Sequence, residues 1–115
     1  MTRVSIAEDF STVPTGRFER DGDYNGTAFR QRFILPALRA GETIIINIDG
    51  LSTYGHSFFD EAIAGLSRPV SEGGEGLDFD LVTRQVALEA LTETGRFFLN
   101  TLRRLMPSVR EVQHA

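Results

Sequence analysis

A serine that follows a glycine and a histidine is the first candidate for chemistry in this sequence. Gly55-His56-Ser57 begins like the Gly-x-Ser-x-Gly turn that presents a hydrolase nucleophile. That turn needs a second glycine, and this chain has Phe59 there. A catalytic base is also hard to identify. One of the two histidines, His56, is the chain neighbour of the serine, which makes a hydrogen bond between the two side chains awkward. We therefore expect no enzymatic activity, and a small serine hydrolase is the remote alternative.

The same serine also fits the pattern that begins a helix. Ser57 and Asp60 match Ser/Thr-x-x-Asp/Glu, in which the serine oxygen accepts a backbone N–H. Asp60 and Glu61 would then interact favourably with the helix dipole. A serine at a helix start can also accept a phosphate, which would gain unpaired N–H groups but be repelled by the two acids. Cap, phosphate acceptor and nucleophile remain three open interpretations of Ser57.

The composition indicates one globular domain and excludes several classes of function. The 115 residues fit a single domain, residues 1–115, with an ordinary hydrophobic fraction of 41%. The absence of cysteine excludes a disulfide framework, a thiolate metal site and a cysteine nucleophile. The formal net charge of -4 argues against a nucleic-acid partner. With no signal peptide and no apolar run near the ~18 residues of a membrane span, we expect a cytoplasmic protein without a membrane partner.

Acidic side chains at the predicted element ends raise the question of a metal. Asp9 and Asp49 each follow a strand pattern, and Asp60 and Glu61 begin a helix pattern. Their spacing lacks a ligand pattern such as that of an EF-hand. Solvated loop and cap acids are the simpler interpretation, so we expect no metal and no cofactor.

Hydrophobic periodicity predicts alternating strands and helices. Such alternation is typical of an α/β domain with right-handed crossovers, here with roughly three to five strands. Asn25 or Thr27 would cap the first long helix, and Pro36 would kink or end it. The predicted elements are a strand at 4–7, a helix at 25–38, a buried strand at 43–49, a helix at 57–66, a mobile loop at 67–76, a strand at 77–82, a long helix at 83–106 and a frayed tail at 108–115.

Several stretches together resemble the short bacterial and archaeal STAS-like domain family. The most specific is YGHSFFDEA, residues 54–62, which follows Asp49-Gly50 closely. The resemblance implies a small mixed sheet with helices mainly on one face. In the similar anti-sigma-factor antagonists, a histidine-kinase-like ATPase phosphorylates a serine at the helix start after a central strand, and Ser57 is the matching position. This chain differs in having His56 before that serine and Phe58 in place of a glycine.

The resemblance implies a non-enzymatic regulatory or protein-interaction module in prokaryotic signalling, switched by phosphorylation at Ser57. A histidine-kinase-like ATPase is the expected partner. The alternative is a constitutive structural subunit or homodimer, packed through the apolar stripe of the last helix, with Ser57 only a cap. The expected partner surface consists of Asp49, Tyr54, Gly55, His56, Phe58, Asp60 and Glu61.

Overall fold

The computed structural model describes residues 1–53 and 55–113. Within these residues the chain forms an α/β domain with a four-stranded sheet. The strands are β1 (Thr2–Ser5), β2 (Ile44–Asn47), β3 (Val86–Glu89) and β4 (Arg110–Glu111). The strand order is β1-β2-β3-β4, and every adjacent pair is parallel. The prediction of a small α/β domain is therefore confirmed, and its sheet is parallel where a mixed one was expected.

Two long helices are each built from three joined segments. The first consists of α2 (Gly26–Phe29), a π-helical turn (Arg30–Ile34) and α3 (Leu35–Arg39). The second consists of α4 (His56–Phe59), a π-helical turn (Asp60–Ala64) and α5 (Gly65–Ser67). The remaining helices are α1 (Ile6–Asp9), α6 (Phe79–Gln85), α7 (Glu93–Leu105) and 3-10 turns at Glu19–Asp21 and Val70–Glu72.

The first long helix begins as the sequence predicts but does not end at its proline. Asn25 accepts a hydrogen bond from the N–H of Ala28, which confirms it as the cap. Pro36 lies in the first turn of α3, directly after the π-helical turn. A proline inside a helix removes one backbone hydrogen bond, and the π-helical turn that precedes Pro36 changes the bonding pattern at this point of the helix. Of the two outcomes predicted for Pro36, a helix end is therefore wrong, because the helix continues to Arg39.

The hydrophobic core lies between the sheet and the two long helices. Phenylalanines of both helices, such as Phe29 and Phe58, share one buried cluster with alternate residues of the central strands. Those strand residues are Ile44, Ile46, Val86 and Leu88. Since side chains alternate along a strand, Ile45 and Ala87 face the other side, and both are buried as well. The prediction that β2 is buried on both faces is confirmed.

The second half of the chain differs from its predicted elements. The stretch expected to form a strand at 77–82 contains the cap of α6, because Asp78 accepts from the N–H of Leu81. The expected helix at 83–106 is interrupted by β3, whose four residues are all buried. A short apolar run fits a buried strand and a helix face equally well, so its periodicity does not distinguish a strand from a helix. The expected frayed tail contributes β4, which pairs with Ala87 and Leu88.

Asp49 joins the end of β2 to the start of α7. Its carboxylate accepts hydrogen bonds from the N–H groups of Leu91 at 2.9 Å and Thr92 at 3.0 Å, and from the Thr92 hydroxyl at 2.7 Å. Thr92 in turn caps α7 by accepting from the N–H of Gly95. A Cβ at Gly95 would lie 2.1 Å from Asp49 Oδ1, so a glycine is needed there. Asp49 is therefore a structural link, already engaged within the fold.

We expect Asp49→Asn to lower the free energy of unfolding by about 1–3 kcal/mol, because an amide N–H₂ would face donors instead of accepting from them. Burial raises the pKa of Asp49, but the hydrogen bonds from Leu91 and Thr92 outweigh it and lower that pKa overall. The stabilisation is thus fully present above the unfolded pKa of about 3.9 and is lost as the pH falls through the lower folded pKa. Urea unfolding of both proteins at pH values down this range checks this, with exposed Asp23→Asn as the control. A difference in the free energy of unfolding between the two proteins that does not change with pH would contradict this explanation.

Candidate functional site

The helix that carries Ser57 begins one residue before it. Gly55 is the N-cap with an extended backbone, and no side chain caps this end. His56 and Ser57 are the first two helical residues, and both are exposed. The interpretation of Ser57 as the helix cap is therefore wrong, because the helix starts at His56 and puts the serine inside its first turn.

Ser57 borders a shallow depression whose other side is the loop before the first long helix. Arg17, Phe18 and Arg20 line this depression together with Thr15, Gly16 and Asp21. Within residues 1–53 and 55–113, the Ser57 hydroxyl forms no hydrogen bond, so no base is in place to activate it as a nucleophile. The hydrolase interpretation gains no support from this arrangement. The exposed hydroxyl shares this depression with the side chains of Arg17 and Arg20 and with the carboxylate of Asp21.

The two phenylalanines after Ser57 are core residues. Phe58 is 0% exposed and Phe59 is 1% exposed. The ring of Phe58 lies 6.1 Å from that of Phe10 and 5.7 Å from that of Phe29, both measured between centroids. The prediction that Phe58 forms part of the partner surface is therefore wrong. Its ring instead anchors the helix start against the core.

Asp60 is neutralised by two arginines. Its Oδ2 accepts hydrogen bonds from Arg17 and, at 3.0 Å, from Arg68. Burial raises the pKa of Asp60, but the two guanidinium groups outweigh it and the pKa is lowered overall. Arg17 thus connects the loop beside Ser57 to the helix one turn further along. The repulsion expected between Asp60 and a phosphate on Ser57 is offset by this pairing.

Glu61 belongs to a buried ion pair that the sequence did not predict. Its Oε2 lies 2.8 Å from Nη1 of Arg30, and the two side chains are 3% and 2% exposed. The same Nη1 donates to the Glu61 carbonyl oxygen at 2.5 Å, and Arg30 Nε donates to Glu75 Oε2 at 3.0 Å. Arg68 bonds the other Glu61 oxygen at 3.3 Å. Glu61 is therefore held inside the protein and is unavailable to a partner.

The ion pair occupies the crossing of the two long helices, where glycines allow close approach. A Cβ at Gly65 would lie 2.2 Å from Arg30 Nη1, and a Cβ at Gly26 would lie 2.6 Å from the Phe58 carbonyl oxygen. Arg30 and Asp60 each begin a π-helical turn, the widened form that often marks functional sites. No local sequence signal identifies Arg30, because ordinary helical periodicity assigns it to the surface and its burial depends on the close approach of the second long helix.

Only part of the predicted surface is available for binding. His56 and Ser57 are exposed, Gly55 is half-buried, and Asp49 is occupied by the start of α7. Tyr54, another predicted member, lies outside the described residues, as does His114. Residues 1–53 and 55–113 hold no group of three or more His, Asp or Glu side chains suited to a metal ion. In this part of the chain there is also no helix with the length and apolar character needed to cross a bilayer.

The chain is a small α/β module with a parallel sheet and an exposed serine in the first turn of the helix that follows a central strand. The family model described as a STAS-like domain of unknown function matches residues 25–83. The chain belongs to this family. The matched part contains both long helices, β2, Ser57 and the ion pair of Arg30 and Glu61. Comparisons with curated proteins and with solved structures give no match.

We expect Arg30→Met to lower the free energy of unfolding by about 3–5 kcal/mol, because it deprives the buried Glu61 carboxylate of its nearest guanidinium group. The double variant Arg30→Met with Glu61→Met should lose clearly less, since no buried charge then remains. Chemical denaturation of the single and double variants measures both, and Arg39→Met, at an exposed residue of the same helix, is the control. Equal losses in the single and double variants would contradict an uncompensated charge as the cause.

Proposed function

We propose that this chain is a non-enzymatic regulatory module that binds a protein partner and is switched by phosphorylation of Ser57. A histidine-kinase-like ATPase is the proposed kinase, in line with the resemblance to anti-sigma-factor antagonists. The observation that carries the proposal is the position of Ser57. It is exposed in the first turn of a helix whose following residues, Phe58 and Phe59, are fixed in the core.

The charges around Ser57 favour a phosphate there. The first turn of a helix leaves backbone N–H groups without partners, and the helix dipole favours negative charge at this end. A phosphoserine carries about -1.5 to -2 charges at neutral pH. Arg17 and Arg20 line the same depression as Ser57, and Asp60 is already paired with Arg17 and Arg68. A phosphate would compete with Asp60 for Arg17 and so alter the loop that contains this arginine.

The loop beside Ser57 also offers a contact for a partner. Phe18 is 36% exposed and lines the depression, and the Arg20 guanidinium lies 4.8 Å from the centroid of its ring. Exposed aromatic and arginine side chains are the types that contribute most to binding at protein interfaces. A phosphate on Ser57 would lie next to this pair and would add negative charge to the surface. Partner binding would therefore depend on the state of Ser57.

A constitutive scaffold or homodimer, with no role for phosphate, is the second candidate. The apolar stripe expected to support it is divided, because Leu102 is 0% exposed while Leu91 and Leu105 are 60% and 49% exposed. Phe97, at 68% exposed, adds to the apolar surface of α7. Phe97 and Leu105 favour some contact through α7, whereas Leu91 precedes this helix, and no α7 residue lines the depression at Ser57. The two candidates therefore predict different effects of changing Ser57.

We expect Ser57→Asp to abolish the complex with the partner and Ser57→Ala to retain it, because only the aspartate adds a negative charge at the helix start. Affinity capture with the tagged protein and its variants, followed by mass spectrometry of the bound proteins, measures this. Ser71→Asp puts the same charge on an exposed serine elsewhere in the chain and is the matched control. If both Ser57 variants retain the partner as the wild-type protein does, the switch is wrong and the constitutive scaffold is favoured.

A further inference from the structure

A separate cavity lies on the opposite face of the α4–α5 helix from its packing with α2. Its volume is about 280 Å³. One wall is formed by α5 and the turn before it, a second by α6, and a third by the segment that follows α7. The lining residues include Ile63, Ala64, Ser67, Phe79, Val82, Thr83, Val86, Met106 and Val109.

The two helical walls present matching stripes to this cavity. Asp60, Ile63, Ala64 and Ser67 recur at the three- and four-residue spacing of one helix face, and so do Phe79, Val82 and Thr83 of α6. Val86, the first residue of β3, lines the cavity beyond the end of α6. Most of the apolar members are buried, whereas Phe79 is 54% exposed at the mouth of the cavity. The helices thus enclose an apolar space that the core does not fill and that opens to solvent.

One buried polar atom in this wall lacks a partner. Ser67 Oγ has almost no accessible surface and forms no hydrogen bond within the described residues. The other polar side chains of the walls are engaged or solvated: Asp60 is paired with arginines, Thr83 donates to the Asp80 carbonyl oxygen, and Ser108 is exposed. Buried hydroxyl groups are nearly always hydrogen-bonded, so the unpaired hydroxyl of Ser67 is unusual. In this structure Ser67 Oγ does not open into the cavity, and a rotation about its single side-chain torsion would bring the hydroxyl to a ligand without moving the helix.

We propose that this cavity binds a small, largely hydrocarbon molecule that carries one hydroxyl group. The apolar walls would contact the hydrocarbon part, and Ser67 Oγ would exchange a hydrogen bond with the hydroxyl. The volume lies just below the range of about 300–1,000 Å³ for drug-sized ligands, which limits the ligand to a smaller size. A cationic ligand would lack a free carboxylate, because Asp60 is already paired with Arg17 and Arg68. An anionic ligand would lack a cation, because no basic side chain is among the lining residues.

The small volume of the cavity favours a small molecule over a protein partner. Protein interfaces of ordinary size are broad and bury about 800 Å² on each side, whereas this cavity is a confined space between helices. The proposal does not depend on phosphorylation of Ser57, because Ser57 does not line the cavity. The ligand cavity and the phosphorylation switch at Ser57 can therefore be tested independently.

The test is a titration of the nitrogen-labelled protein with para-propylphenol, followed by the amide chemical shifts. We expect saturable shifts in residues 60–67, 79–86 and 105–109. Propylbenzene, which lacks the hydroxyl, should bind at the same place more weakly. Ser67→Ala should lower the affinity for para-propylphenol roughly fivefold to tenfold and leave propylbenzene binding unchanged, as expected for the loss of one hydrogen bond.

Two further variants test the place of binding. Ala64→Leu and Thr83→Leu fill the cavity from opposite walls, and either one, folded by its amide spectrum, should abolish binding of both probes. Ser71→Ala is the matched control for Ser67→Ala and should bind as the wild-type protein does. The proposal is overturned if neither probe gives saturable shifts, if the filled variants still bind, or if the shifts in these segments follow protein concentration alone, which would indicate a second copy in the cavity.

Discussion

The buried ion pair of Arg30 and Glu61 is the interaction on which the rest of the structure depends. Removing both charges from water is costly, and the cost is offset only when each finds several partners. Arg30 bonds the carboxylate and carbonyl oxygen of Glu61 and the carboxylate of Glu75, while Arg68 bonds the second Glu61 oxygen. One guanidinium group thereby fixes two helices and the following loop to one another.

The same pair determines where the candidate surface lies. Because Glu61 must reach Arg30, the neighbouring Asp60 is turned toward Arg17 and Arg68. Arg17 belongs to the loop beside Ser57, so the position of that loop follows from the pairing at Asp60. Phe58 and Phe59 pack into the core on the other side. Ser57 remains exposed at the start of a helix whose later residues are all held by the fold.

The sequence predicts those elements in which the hydrophobic spacing of a strand or of a helix is dominant. The isoleucine run of β2 and the cap at Asn25 were found because each is a strong local signal. The elements between residues 77 and 106 are not predicted correctly, because short apolar runs such as Val86 to Leu88 fit a buried strand as well as a helix. The partners of Asp49 lie 42 and 43 residues away in the chain, and no local pattern reports them.

Around Ser57 the sequence and the structure agree on two exposed side chains and differ on the residues that surround them. The family resemblance pointed to residues 54–62, and Ser57 and His56 are exposed there. The predictions of a helix cap at Ser57 and of a partner contact at Phe58 are both wrong, because the helix begins at His56 and the ring of Phe58 is buried. Arg17, Arg30 and Arg68 could not be assigned from the sequence, since their roles depend on tertiary pairing with Asp60 and Glu61.

The most direct measurement of the central claim is mass spectrometric mapping of phosphate on the protein recovered from its native cells under several growth conditions. The account predicts a single phosphate on Ser57 in a fraction of the molecules that varies with the conditions. A protein that carries no phosphate in any condition, or carries it only at other serines, would contradict the account.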